Sequence, residues 1–191
     1  MIIEHLIFGI GIGLFVGLVS HKIIGKDHSW IIVASTFSPD IDIAVDILQW
    51  LFYGTVGGSM VKSVAFHGSF HNIGVLLLYA AIAALTLRKI GIPFLESFSL
   101  AAVGFGAHLI EDGLTTCIPG YAYLWPFSDS ELGLFILPCE RDLLGIANTE
   151  TLLLAMTLVA LVAAIRTGLE GSAWVEKTAL YRLFNTTMKM K

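Results

Sequence analysis

His67 and His71 lie four residues apart, and so do His108 and Asp112. On a helix that spacing projects both side chains from one face, so each pair could present two donor atoms to a single ion. Imidazole and carboxylate donors suit zinc and also accept manganese or iron. Taken alone, either pair is more often helix packing or a hydrogen bond than a ligand set. Two further segments join them: His5 near the start of the chain, and Ser38-Pro39-Asp40-Ile41-Asp42. Asp40 and Asp42 could orient or deprotonate a water beside such an ion. Their structural alternative is to cap a helix that begins after Ser38-Pro39. The candidate metal ligands are therefore His5, Asp40, His67, His71, His108 and Asp112, and the candidate catalytic residues are Asp40 and Asp42.

The stretches that must position these residues are strongly apolar. Of 191 residues, 56% are hydrophobic and only 14% are charged, with a mean hydropathy of +0.82. Soluble domains carry about 25% charged residues, so the composition is that of a membrane protein. Ionisable groups within or bordering membrane segments are costly, which makes them pointers to function. Five spans are predicted, at about Ile2–Val19, Ser29–Leu51, His71–Leu87, Phe94–Ile110 and Ile146–Ile165. Such spans need about 17–25 mostly apolar residues each. Pro39 predicts a break or kink in the second, with Asp42 and Asp46 one turn apart on the resumed helix. Gly9-Ile10-Gly11-Ile12-Gly13 follows no strand and reads as close helix packing, not as a dinucleotide loop. Glu4 and His5 stand where a signal peptide would carry Lys or Arg, and no clear cleavage site follows, so this span is expected to stay in the mature protein. The fold class expected is all-α: a polytopic membrane helical bundle forming a single domain over 1–191. No basic patch interleaved with aromatics suggests a nucleic-acid partner.

Lys and Arg set the orientation. With the amino terminus outside, nine of the 11 basic residues fall on one side: Lys22, Lys26, Arg88, Lys89, Arg166, Lys177, Arg182, Lys189 and Lys191. Only Lys62 and Arg141 fall on the other. The carboxyl tail, 167–191, is therefore expected in the cytoplasm. His5, Asp40, Asp42, His67, His71, His108 and Asp112 then gather at the outer face, although they played no part in setting the topology. His21 and His28 fall on the cytoplasmic side and read as ordinary loop residues.

The ordered set is His5, then Pro39-Asp40-Ile41-Asp42, His67 and His71, His108 and Asp112, and Leu124-Trp125-Pro126-Phe127-Ser128. Over residues 1 to about 150 it resembles the bacterial and archaeal membrane-bound metal-dependent hydrolases, some of them described as LexA-regulated inner-membrane proteins. That family is distantly similar to zinc-dependent phospholipases C and single-strand-specific nucleases, all-helical enzymes with up to three zinc ions. The resemblance implies a phospholipase C/nuclease-like helical core and a principal metal held by Asp40, one of His67 and His71, His108 and Asp112. It implies that Asp112 bridges to a second metal bound by His5, and that Asp40 also serves as general base. Gly68 stands where many members carry Arg, and no histidine follows His108. One or two ions, zinc first, are the expected cofactor.

The activity expected is metal-dependent hydrolysis of a phosphate ester, such as a phospholipid or another lipid-linked phosphate, at the outer membrane face. The partners expected are the lipid bilayer and that substrate. The alternatives are a metal-binding transporter or channel, disfavoured because the ligands sit on one face only, and a non-catalytic membrane regulator. Neither HExxH nor GxSxG is present, which sets aside the common metalloprotease and serine hydrolase signatures. The outer loop, 113–145, holds Tyr121, Tyr123, Trp125 and Phe127, residues that serve equally as interfacial anchors or as a wall over a site. Cys117 and Cys139 lie in the same loop and could form a disulfide in an oxidising exterior. From Arg166 onward the tail could form a short amphipathic helix on the cytoplasmic leaflet.

Overall fold

A computed structural model of the chain describes residues 2–41, 68–115, 120–134, 136–138 and 148–177. Its regular structure is entirely helical: α1 (Ile2–Ile24), α2 (Trp30–Ser35), α3 (Ile73–Arg88), α4 (Phe94–Leu114), α5 (Thr149–Glu170) and α6 (Trp174–Lys177). Among the described residues there is no strand, only the isolated bridges Thr115–Leu137 and Tyr121–Leu132 in and beside the 120–138 loop. Two helices, Ile3–Ile23 and Thr149–Glu170, are long and apolar enough to cross a membrane. They coincide with the first and last expected spans. Helix α3 lies at the place of the third expected span, but its 16 residues fall short of a span. Helix α4 lies at the place of the fourth and continues beyond Ile110 to Leu114, but it is not among the two described helices long and apolar enough to cross.

The break expected at Ser38-Pro39 is present. Helix α2 stops at Ser35, and residues 36–40 form turns. Ser35 Oγ donates to Ile31 O and Thr36 Oγ1 to Ile32 O, two back-bonds that loosen the last turn just before the proline. The rest of that span, with Asp42 and Asp46, lies outside the described residues.

The bundle closes around α2, whose Ile31, Ile32 and Val33 are buried between α1 and α4. Two glycines let it come so close. A Cβ on Gly104 would run into the carbonyl oxygen of Ile32, and one on Gly9 would run into the Thr36 side chain. Gly9 lies one turn from His5 and Gly104 one turn from His108, so the same close approach delivers the Pro39-Asp40 turn to both histidines. Gly11 meets α5 at Leu158, where an added Cβ would lie 2.9 Å from its side chain. The glycine run of α1 therefore serves close packing, as its composition suggested. Ala80 on α3 and Ala101 on α4 are fully buried in the largest apolar cluster and bring those two helices together in the same way.

The outward faces are apolar as well. Leu78, Ile82 and Leu85 on α3, Leu95 and Ile110 on α4, and Leu153, Leu161 and Leu169 on α5 are each more than half exposed. A surface of this kind suits lipid rather than water.

Two tail expectations are corrected. Helix α5 runs to Glu170, past the expected end at Ile165. Arg166 does not begin the tail but is buried at 2% exposure, donating from Nε to Glu170 at 2.9 Å and from Nη1 to Leu14 O at 3.2 Å. Its guanidinium also lies 5.0 Å from the centre of the Trp174 ring. These partners are what allow an arginine to sit inside the bundle. Trp174 packs beside Leu14 and Val162 rather than lying out on a leaflet. Leu180, Tyr181, Leu183 and Phe184 lie outside the described residues.

Candidate metal centre

Four segments converge at one end of the bundle. His5 comes from the first turns of α1, Asp40 from the turn after α2, His71 from the residues just before α3, and His108 and Asp112 from the last turns of α4. His5, His71 and His108 are all buried, and Asp40 and Asp112 are partly so.

The donor atoms nearly touch. His71 Nε2 and His108 Nε2 are 3.2 Å apart. Asp112 Oδ2 lies 3.2 Å from the first and 3.4 Å from the second. Asp40 Oδ1 lies 3.6 Å and 3.7 Å from the same two nitrogens. The Asp40 distances are too long for hydrogen bonds. They are, however, close to the spacing of neighbouring ligands on one ion: metal bonds of about 2.0–2.1 Å separate such ligands by roughly 3.3 Å. Asp112 turns its other oxygen, Oδ1, toward His5 Nε2 at 3.6 Å. One carboxylate thus faces two sets of nitrogen donors.

Neighbouring groups fix the histidines. His108 Nδ1 bonds the Thr36 carbonyl at 2.8 Å, which makes Nδ1 the protonated nitrogen and leaves the Nε2 lone pair facing the cluster. His5 Nδ1 pairs with Glu111 Oε2 at 3.0 Å and does the same for its own Nε2. The rings of His5 and His108 lie 4.0 Å apart, and Tyr121 stacks on His71 at 4.5 Å. Gly68 has φ +95°, and a Cβ there would be 2.7 Å from the Tyr121 ring. The Tyr121 ring thus occupies the space into which a side chain at position 68 would project. Burial pushes the phenol of Tyr123 well above its ordinary pKa, and the Asp112 carboxylate adds to the shift, so it stays protonated at neutral pH.

The charge balance points the same way. Asp40, Glu111 and Asp112 bring three carboxylates together, and among the described residues no lysine or arginine pairs with them. Asp40 Oδ2 and Glu111 Oε1 are buried without a hydrogen-bond partner among the described residues. Buried carboxylates need compensating charge or donors. The residues present fit a divalent cation on both counts, donor spacing and charge.

Five of the six expected ligands therefore lie in two groups that share His108: His71, His108 and Asp112, and His5, Asp40 and His108. The sixth, His67, lies outside the described residues, as do Asp42, Cys117 and Cys139. One local expectation is corrected. His71 is not on a helix face, because Gly68–Phe70 form a turn and α3 begins only at Ile73, capped by the Asn72 side chain on Val75 N at 2.9 Å. His21 and His28 lie away from the cluster; His21 is in the last turn of α1 rather than in a loop, and His28 pairs with Glu96 at 2.6 Å, three turns of α4 away from His108. Sequence reading missed Glu111 and the Thr36 carbonyl. Glu111 carried a usable signal, since it shares the apolar end of α4 with His108 and Asp112; a backbone carbonyl carries none.

An all-helical chain with lipid-suited outer faces and a polar cluster at one end is an integral membrane protein. Comparison with known families agrees: the chain belongs to the YdjM inner membrane protein family, whose model matches residues 1–175. Every residue of the cluster falls inside that match. No match was found among curated proteins or solved structures.

Proposed function

We propose that the protein is a membrane-embedded, metal-dependent hydrolase of phosphate esters, acting on a phospholipid or another lipid-linked phosphate. The observation that carries this reading is the pair of donor groups that share His108: His71, His108 and Asp112, with donor atoms 3.2–3.4 Å apart, and His5, Asp40 and His108 beside them. These residues would hold the principal metal, zinc by donor type. His5 with Asp112 Oδ1 would begin a second site. A bound divalent ion would supply an acidified water and a positive charge to polarise a phosphoryl oxygen.

The chain's own residues do the rest. Asp40 spends Oδ1 on the ligand cluster and keeps a second, buried oxygen that can take a proton from a water. Tyr121 and Tyr123 wall the cluster on one side and limit water access. Apolar helix faces alongside suit a substrate that arrives through the lipid. In the topology proposed, the chain is a single five-span domain with the amino terminus, the metal centre and the 113–145 loop outside, and the 167–191 tail in the cytoplasm. Purified wild type and His108→Ala should be screened together against bis(p-nitrophenyl) phosphate and phospholipids. Metal-dependent turnover by wild type and none by the variant is expected. Equal turnover by both would refute the assignment of the activity to this site.

A further inference from the structure

Among the described residues, the loop after α4 carries several exposed large apolar side chains. Leu124 is 45% exposed, Trp125 47% and Phe127 81%, and Leu134 and Ile136 follow at 66% each. These side chains are held in place. Ile73 N donates to Tyr123 O at 2.8 Å and Gly74 N to Trp125 O at 3.0 Å, so the loop supplies acceptors to the open amino end of α3. The Trp125 ring rests on the α3 backbone at Gly74, where an added Cβ would lie 3.0 Å from it. Across the loop, Leu132 N donates to Tyr121 O at 3.0 Å.

The position of this ridge says what covers it. Helix α3 has 16 residues, which is about 24 Å of helix against about 30 Å of hydrocarbon, so its amino end lies close to one membrane boundary. Its outward face, with Leu78, Ile82 and Leu85, runs along the helix toward that end, and the ridge continues it. At the opposite end stand Arg88 and Lys89. Tryptophan and phenylalanine placed at that depth sit between headgroups and acyl chains. Within residues 120–138 the charges are Asp129 and Glu131, both exposed, and there is no lysine or arginine. That sign suits a zwitterionic or neutral lipid surface rather than an anionic one.

We propose that Leu124, Trp125 and Phe127 form a fixed wedge that inserts into the leaflet on the side of the metal centre. Tyr121 and Tyr123, in the same loop, stand against the His71 and Asp112 side of the cluster, so the wedge would set the depth of the cluster at the lipid headgroups. The insertion does not depend on the hydrolase reading, and its test needs no turnover.

The test uses the full chain in phosphatidylcholine bilayers with brominated acyl chains. Subtracting the fluorescence of Trp125→Phe from that of wild type isolates the Trp125 emission from the other tryptophans. A second variant, Phe127→Trp in the Trp125→Phe background, probes the tip independently. Both components are expected to lose most of their intensity in brominated lipid and little to aqueous acrylamide. Strong acrylamide quenching without bromine quenching would make the segment a water-facing lid and overturn the wedge. Protection from both quenchers would place it under protein and overturn it equally.

Discussion

At the scale of single residues, the cluster is organised by what lies behind its histidines. His5 and His108 have no freedom in which nitrogen they present, because Glu111 and the Thr36 carbonyl hold the other one. Second-layer carboxylates of this kind typically govern about 10–100-fold of metal affinity. Glu111→Leu is therefore expected to weaken metal binding within about that range, with the His71–His108–Asp112 cluster still present, as measured by competition with a chromogenic chelator. Unchanged affinity would show that the His5–Glu111 pair serves packing alone. Tyr123 offers a second check. Its raised pKa keeps it out of the ordinary phenol titration, so Tyr123→Phe should leave the tyrosinate absorbance developed by pH 10 unchanged. A loss of about half of one tyrosine's full tyrosinate signal would show the phenol to be ordinary. Most residues of the cluster were legible in the sequence because ionisable groups in apolar stretches stand out by type and place. Glu111 was legible by the same criterion and was passed over. The roles of Thr36 and Tyr121 were not, since one acts through its backbone and the other through a loop path that no spacing encodes.

At the scale of elements, the histidines meet Asp40 only because helices approach closely at glycines. Gly104 admits the Ile32 carbonyl and Gly9 admits Thr36. Overpacking at such contacts costs about 1–3 kcal/mol. Gly104→Ala is expected to lower thermal stability by an amount in that range and to weaken metal binding, although residue 104 touches none of the donors. A variant as stable and as metal-competent as wild type would show that α2 has room to move. The glycine run of α1 was visible in the sequence, and so was the proline break, but Gly104 was not singled out. The partners of the glycines were not, because periodicity gives a face without saying what packs on it. The expected helical HxxxH pair failed for a local reason: Gly68 at positive φ and the Asn72 cap put His71 in the turn that starts α3, not on its face.

At the scale of the whole molecule, composition alone indicated a membrane protein, and the family match and apolar outer faces agree. Sequence hydropathy blurred the ends of the spans: α4 and α5 run further than expected, and Arg166 is inside the bundle through its bonds to Glu170 and Leu14. The proposed topology makes a direct demand on surface labelling. A cysteine at Asp129 in a background lacking Cys117 and Cys139 should react with an impermeant maleimide in intact cells, and one at Ser172 should react only after lysis. The reverse pattern would invert the protein and its cluster. The central claim is that His71, His108, Asp112 and Asp40 bind one ion between them. Its most direct test is a crystal of the purified protein measured on both sides of a transition-metal absorption edge, with elemental analysis of the same sample. A stoichiometric anomalous peak among those four side chains, absent from His108→Ala and Asp112→Ala, is expected. Wild-type protein with no such peak, and no bound transition metal by elemental analysis, would contradict it.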